Sequence, residues 1–589
     1  MMPDRQDLEI AHGMNAASFP MPAGQRRLIA LLLLAAAAFA VAGLAAMFAL
    51  SPKVLYADPW RFIAHFLTAP WPWNVLEADN GHRELFPNLV RVLELDWLQA
   101  NQWLQITVGA ALACATAAVL AWGVRREPVG AAAKAAALLF AMLGIFWLGN
   151  ERSLAHGNES VHVYLVTLCL ALGCWLLSDR SADASPKRLA IVVLLGTMAA
   201  FSFGSGIACF AGYVMVLLLR RAPWSSVGAI AAGAVVAAAL HLSLGNTGLG
   251  NAGGGPSLQL VPQLLRWLSA PFVYAAWPLL DSNAAAQIPV APARDACLLL
   301  ARGFEGLFGQ VRTAVWPNAL LAIGGMGWLL LSSRATWRQP AAGRMERVAL
   351  GMAWFALTVG VLVCVSRAGY FVQYPQQVVA PRYLPWSSLF WSGLAMTTVL
   401  RWRPSKPGYC MAWALLAAVL LVPSQAWMAM LAYRTQSLAE LNAVGAAVGV
   451  IGANAELGEN VPSEIATALP LLRRSGTAMF AWPETRAMGE SLPADAQTVV
   501  VENLRLAPVA NRLGSPGYAV AFELETSACP RLVLVGEAGK IIGMAVRRGR
   551  SAYWQGWARQ ESGPKARVFA ICESQITPPE AGDSREVNK

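Results

Sequence analysis

The stretch 28-LIALLLLAAAAFAVAGLAAMFAL-50 decides the architecture of this chain. It carries no ionisable side chain, and at roughly 20 residues it is long enough to cross the hydrocarbon of a bilayer. A second run of this kind lies at 411–431. Neither alternates apolar with polar residues, so both predict helices rather than the strands of a membrane barrel. The rest of the composition agrees. Of 589 residues, 56% are hydrophobic and 13% charged, where a soluble protein carries about 25% charge; the mean hydropathy is +0.47. An α-helical polytopic membrane protein is the expected fold class.

Charge sets the topology. A formal net charge of +11 would suit nucleic acid, but the lysines and arginines sit in short loops between apolar runs, the positive-inside pattern of membrane proteins. No nucleic-acid partner is expected. Residues 1–27 read as a cytoplasmic tail ending in Arg26-Arg27. The following run is too long for a cleavable signal and lacks a small-residue cleavage site, so it reads as a signal anchor. Further spans are expected at about 103–123, 135–149, 161–178, 225–244, 313–332, 347–366, 384–400 and 409–428. The segment 189–219 is long for one span and short for two. Arg188 and Arg220-Arg221 flank it on both ends, which favours a hairpin with its tip at Phe203-Gly204-Ser205-Gly206, where glycine permits the turn. About eleven spans result, with the most basic short loops on one side. Outer loops then fall at 51–102, 150–160, 245–312 and 367–383. The third is expected to hold a helix lying at the membrane surface, with Trp267, Phe272, Tyr274 and Trp277.

Residues 431–577 differ from the rest of the chain. Helical pattern persists to Ala439 and returns at 463–474. Strand-like runs follow at 498–502, 518–524, 531–536, 541–547 and 567–572. A small extracytoplasmic domain is expected, helices and then a β-sandwich-like part, with a disordered tail at 578–589. Of nine cysteines, seven are scattered and form no metal-ligand spacing. Cys529 and Cys572 are the only two in this domain. A disulfide between them suits an oxidising compartment such as a periplasm; two buried thiols are the alternative.

Between the first two spans lies Glu77-Ala78-Asp79-Asn80-Gly81-His82-Arg83-Glu84, just after Trp71-Pro72-Trp73. Charge lodged between membrane spans costs energy unless it meets water and acts there. The other outer loops add Glu151, Arg152, His156 and Glu159, then Arg367, Tyr370, Tyr374, Arg382 and Tyr383. His65, His82, His156 and His162 lie in or beside these loops, and His241 near the outer end of its span. Titratable groups therefore gather at one membrane face, where a shared site can form. Simpler readings stand beside this one: Glu94 and Asp96 cover a polar helix face, Arg152 and Arg382 snorkel at the interface, and Asn158-Glu159-Ser160 matches a glycosylation pattern. The chain has no P-loop, no HExxH and no paired CxxC, which argues against ATP-driven transport within it.

The order of features resembles the GT-C superfamily of membrane glycosyltransferases. A first span is followed by an outer loop with an acidic motif, here Glu77-Ala78-Asp79, and then by many further spans. Asp79-Asn80-Gly81-His82-Arg83-Glu84-Leu85-Phe86-Pro87 resembles the "HR…P" loop of bacterial members. Phe203-Gly204-Ser205-Gly206 with Arg220-Arg221 resembles their short hairpin, and Arg382-Tyr383 their "RY" motif. The likeness covers about 28–430, and the C-terminal domain departs from it. The resemblance implies inverting transfer of a sugar from a polyprenyl-phosphate-linked donor to an envelope glycan, lipid or protein acceptor. The setting would be the outer face of a bacterial inner membrane, amid membrane lipids. Asp79 is then the base that deprotonates the acceptor, with Glu77 second. Arg83, Arg152, Arg367 and Arg382 are candidates to hold the lipid phosphate; His82, Glu151, Tyr370 and Tyr383 are further substrate contacts. Some members use a divalent metal, Mg or Mn. Neither acid requires one, and Asp79 is its ligand if there is one. The competing classes are a transporter or flippase of a lipid-linked glycan and a non-catalytic envelope-assembly protein.

Overall fold

In hydrocarbon a backbone has no water to bond to, so an apolar run satisfies itself as helix. The computed structural model follows this rule. It describes residues 22–76, 78, 82–179, 185–244, 260–339, 342–401, 407–493, 496–525, 527, 529–549, 551–560 and 565–571. The opening run becomes α1 (Ala23–Leu50). Leu32, Ala36, Phe39, Gly43 and Met47 form its buried stripe, at the helical spacing that presents one face, while Leu34 and Val41 on its other side are exposed. The stripe packs on α5. The polar loop that follows folds into α2 (Pro59–Thr68) and α3 (Leu85–Leu98). Then come α4 (Trp103–Arg126), α5 (Ala131–Phe146) and α6 (Gly157–Leu177).

The segment at 189–219 is a hairpin: α7 (Pro186–Ala200), a 3-10 turn at Gly204–Ala208 and α8 (Cys209–Leu219). Its tip needs glycine, because a Cβ on Gly206 would stand 1.9 Å from the Ala199 carbonyl oxygen. Next are α9 (Trp224–Ser243), α10 (Leu260–Leu280), α11 (Ala291–Phe308), α12 (Val315–Arg338), α13 (Arg344–Ser366) and α14 (Leu384–Arg401). Among the described residues, eight helical segments are long and apolar enough to cross a membrane: α1, α4, Ala131–Leu154, α6, α9, α12, α13 and Gly408–Val448. The hairpin arms and α14 stand beside them, shorter or less apolar.

The helix expected at the membrane surface lies elsewhere. α10 packs among α12, α13, α14 and α15 (Pro407–Val448), and its Trp267 and Tyr274 are buried. Aromatic residues at helical spacing read alike for an interface and for a core. The exposed amphipathic helix is α11, which shows Leu299, Leu300, Leu307 and Phe308 to the outside.

Basic side chains tie one end of the bundle together. Arg220 donates to the Leu177 carbonyl at 3.2 Å, Arg347 to Ser178 O at 2.9 Å, Arg221 to Trp337 O at 3.1 Å and Arg401 to Ser332 O at 3.1 Å. They satisfy carbonyls near the C-terminal ends of α6 and α12, where cations are favoured.

The opposite end carries the C-terminal domain. No boundary falls near residue 430, because α15 runs unbroken for 42 residues; the good helix formers after Pro423 give it no reason to stop. Its last turns (Ala439, Ala443, Val444, Ala447) join a core with α16 (Pro462–Ser475) and the sheet. The sheet is a single seven-stranded antiparallel one, in the order β1-β7-β4-β5-β6-β3-β2, rather than the two stacked sheets of a sandwich. Its strands are β1 (Gln497–Thr498), β2 (Glu502–Val509), β3 (Gly517–Glu523), β4 (Arg531–Gly536), β5 (Ile541–Arg547), β6 (Tyr553–Arg559) and β7 (Ala566–Ala570). One face, through Met544, Val546 and Trp557, sits on the end of α15. The other, through Val520, Phe522, Leu532 and Trp554, encloses its own core as a half-barrel. Strand twist curls one sheet until it needs no second layer. Cys529 is disulfide-bonded, and the seven other described cysteines are free. Cys572, the other half of the expected pair, lies outside the described residues.

Candidate functional site

At the domain end of the bundle, seven separate stretches of chain converge on a cavity of about 330 Å³. One wall is polar: Asp58 and Arg61 from α2, His82 and Glu84 from the loop before α3, and Glu159 and His162 from the first turns of α6. Arg367, Arg382 and Tyr383 stand in the wall formed after α13. Phe203 and Trp386 add aromatic surface, and Ala238, Leu242 and Leu362 on α9 and α13 add an apolar rim. Leu242 and Leu362 are also exposed.

The polar wall is held by paired charges. Glu84 meets Arg91 at 2.6 Å, and Asp58 meets Arg61 at 3.2 Å. Glu159 lies between His162 (3.0 Å) and Arg152 (3.3 Å). Arg152 in turn pairs with Glu459, from the connection between α15 and α16. That connection and the first turn of α16 also fix the loop after α1 and the start of α2: Asn460 Oδ1 accepts from the Ala57 amide at 2.7 Å, and Glu464 lies 3.6 Å from Arg61. The C-terminal domain thus braces the loop that supplies Asp58 and Arg61.

Phe203 is sandwiched between two imidazoles. Its ring lies 4.4 Å from that of His162, nearly parallel at 6°, and 4.3 Å from that of His82. Gly204 makes room for this, since a Cβ there would meet His82 Nδ1 at 2.4 Å. Across the cavity, Arg382 donates to Gln377 Oε1 at 3.2 Å. Its Nε and the hydroxyl of Ser205 are buried without a hydrogen-bond partner among the described residues. Such groups carry a desolvation cost that a bound anion relieves.

His82 and His156 are held neutral. Burial, aided by Arg367, His162 and His241, pushes His82 down to about 3; burial, then Arg152, pushes His156 down to about 4. An unfolded histidine titrates near about 6.5, so on acidification the unfolded chain takes up protons first. Both groups therefore add stability that is complete above about pH 6.5 and is lost as the pH falls towards their folded values. The unfolding temperature is expected to be flat above about pH 7 and to drop below about pH 6.5, with His82→Asn removing part of the drop. A melting curve unchanged down to about pH 4.5 would refute this.

The sequence candidates separate into groups. His82, Arg367, Arg382 and Tyr383 line the cavity. Arg83 instead donates to the carbonyls of His241 and Leu76, both at 2.8 Å, tying the end of α9 to this loop. Arg152 stands behind Glu159, and neither it nor Glu151 is on the cavity wall. Tyr370 is exposed and packs against Tyr374, at 5.2 Å. Glu77 and Asp79 lie outside the described residues. Asp58 and Arg61 were not named in the sequence, whereas Glu84, Glu159 and His162 were counted among the titratable groups of this face without a role. For the last two a signal existed, a glutamate and a histidine three apart at the start of a span. Asn158, in the glycosylation pattern, is buried, so the folded chain offers no acceptor there.

A divalent cation does not fit the described carboxylates of the cavity, because each is already matched to a basic side chain. Among the described residues no group of three or more His, Cys, Asp or Glu is placed to hold a metal. No protein-family model matches the chain, and no curated protein matches it.

Proposed function

We propose that the chain is an inverting, GT-C-like membrane glycosyltransferase that moves a sugar from a polyprenyl-phosphate-linked donor to an envelope acceptor. The observation that carries this reading is the cavity, with two arginines on one wall, carboxylates and histidines on the other, and a rim of exposed apolar side chains. A lipid phosphate is the ligand class that uses all three at once. Its chain stays in hydrocarbon beside Leu242 and Leu362 while its phosphate reaches Arg367 and Arg382. By the positive-inside rule the basic end of the bundle is cytoplasmic. The cavity and C-terminal domain then face the outside of a bacterial inner membrane. In this reading the hairpin arms and α14 cross as well, giving about eleven spans.

In the reaction the acceptor hydroxyl attacks the anomeric carbon. Its proton passes to a carboxylate while the bond from that carbon to the phosphate oxygen breaks, and the electron pair leaves on the phosphate. Asp79 is the base in this proposal, with Glu77 behind it. Asp58 is the described competitor: its side chain is 40% exposed, against 8% for Glu84 and 9% for Glu159. No step needs a metal.

The test is sugar transfer in proteoliposomes from a labelled polyprenyl-phosphate donor to membrane acceptors. Asp79→Asn is expected to lower transfer by about 10²–10⁴-fold, the usual worth of general-base catalysis, with membrane insertion intact. Normal transfer by Asp79→Asn with none by Asp58→Asn would move the base to Asp58. Movement of the lipid across the bilayer without transfer would replace the enzyme by a flippase.

A further inference from the structure

A cluster of two arginines and buried polar side chains lies outside the cavity, on the flank of α10. Gln263, Arg266, Tyr274 and Trp277 recur there at helical spacing and so share one side of the helix. Arg266 donates to the carbonyl of Arg312 at 3.1 Å. The Arg312 guanidinium in turn lies 4.7 Å over the Trp277 ring. The two arginines are thus neighbours, although they come from different parts of the chain. Neither forms a salt bridge among the described residues, and the Nε of each is buried without a hydrogen-bond partner. Oε1 of Gln263 is buried without a hydrogen-bond partner among the described residues on the same flank, and the hydroxyl of Tyr274 faces Arg312. Neither arginine lines the cavity.

Two half-buried guanidiniums with no salt-bridge partner among the described residues are costly unless something anionic completes them. The surroundings say what kind of anion. Arg312 sits in the turn between α11 and α12, with Leu307, Phe308, Trp316 and Leu320 exposed on either side. Exposed tryptophan and leucine next to arginine mark the depth at which hydrocarbon gives way to headgroups. A phosphate at that depth belongs to a lipid, and arginine binds phosphate through paired hydrogen bonds.

We propose that Arg266 and Arg312 bind the phosphodiester headgroup of an anionic phospholipid in the leaflet nearest the C-terminal domain. The site does not depend on the glycosyltransferase reading, and occupancy is read without any enzyme assay. The full-length protein in detergent is titrated with phosphatidylglycerol or phosphatidylcholine, and bound lipid is counted by native mass spectrometry. The wild type is expected to hold phosphatidylglycerol at least about tenfold more tightly than phosphatidylcholine, and Arg266→Gln/Arg312→Gln to lose that preference. Arg266→Lys/Arg312→Lys keeps the charge and is expected to keep most of it. Arg382→Gln, in the cavity, is expected to leave it unchanged. If the double glutamine variant does not fold, Arg312→Gln alone carries the test with a loss of about fivefold. Equal affinity of the wild type for the two lipids, or undiminished preference in the glutamine variants, would overturn the proposal. So would displacement of the lipid by inorganic phosphate at equal concentration, or binding of polyprenyl phosphate in preference to phosphatidylglycerol.

Discussion

Arg152→Ala is expected to destabilise the folded chain by about 3–5 kcal/mol, the range for breaking a buried ion pair from one side. Arg152 and Glu159 are 12% and 9% exposed, and two guanidinium nitrogens reach the same carboxylate oxygen at 3.3 and 3.4 Å. Without the arginine, Glu159 would keep the histidines His162 and His156 as its basic neighbours, in a place with little water to compensate. Glu459, the other partner of Arg152, is 54% exposed, so Glu459→Ala is expected to cost only about 1 kcal/mol or less. Thermal unfolding in detergent checks both. The double variant Arg152→Ala/Glu159→Gln is expected to recover a large part of the loss, because it removes the stranded charge along with its partner. Equal melting of Arg152→Ala and the wild type would show that the pair holds nothing. The same pairing accounts for the position of Arg152: its guanidinium is occupied by two carboxylates, so it positions Glu159 and His162 rather than reaching a ligand.

The parts of this arrangement that were legible in sequence are those set by local pattern. The run at 28–50 could only be helix in a bilayer, and α1 covers it. The hairpin at 189–219 followed from arginines at both ends and glycine between, and Gly206 sits where no side chain fits. Gathering His82, Arg367, Arg382 and Tyr383 at one face followed from charge bias between loops. What stayed hidden depends on contacts between distant residues. Arg83 looked like a ligand contact, but its carbonyl partner on His241 is 158 residues away. Glu459 and Asn460 gave no sign that they brace the loop after α1. α10 was misplaced because period alone does not tell which surroundings cover an aromatic stripe. β6, with Trp554 and Trp557 on opposite faces of the sheet, was not read as a strand. Its role is set by β3 and β5 on either side.

Arg382 is expected to behave in the opposite way to Arg152, and the contrast separates a structural arginine from a working one. Its side-chain partners Gln377, Tyr383 and Tyr370 carry no charge, so Arg382→Gln strands no acid and is expected to leave the unfolding temperature nearly unchanged. Under the glycosyltransferase reading, however, its effect on transfer is large. A sugar phosphodiester carries one negative charge, and the departing lipid phosphate gains a second as the glycosidic bond breaks. An arginine beside that phosphate therefore binds the transition state more tightly than the donor, and interactions of this kind lower kcat when removed. A buried donor aimed at developing negative charge is worth about 10²–10³-fold, and the unpartnered Nε of Arg382 is such a donor. Arg382→Gln is expected to lower kcat by that factor and Arg382→Lys by less, because lysine restores the charge without the fork of hydrogen bonds. Arg367→Gln is expected to act mainly on KM, since both arginines are only partly buried but only Arg382 has a buried Nε left without a partner among the described residues. A rise in KM alone for Arg382→Gln would assign it to holding the donor. No kinetic change together with a lower unfolding temperature would make it a structural residue after all.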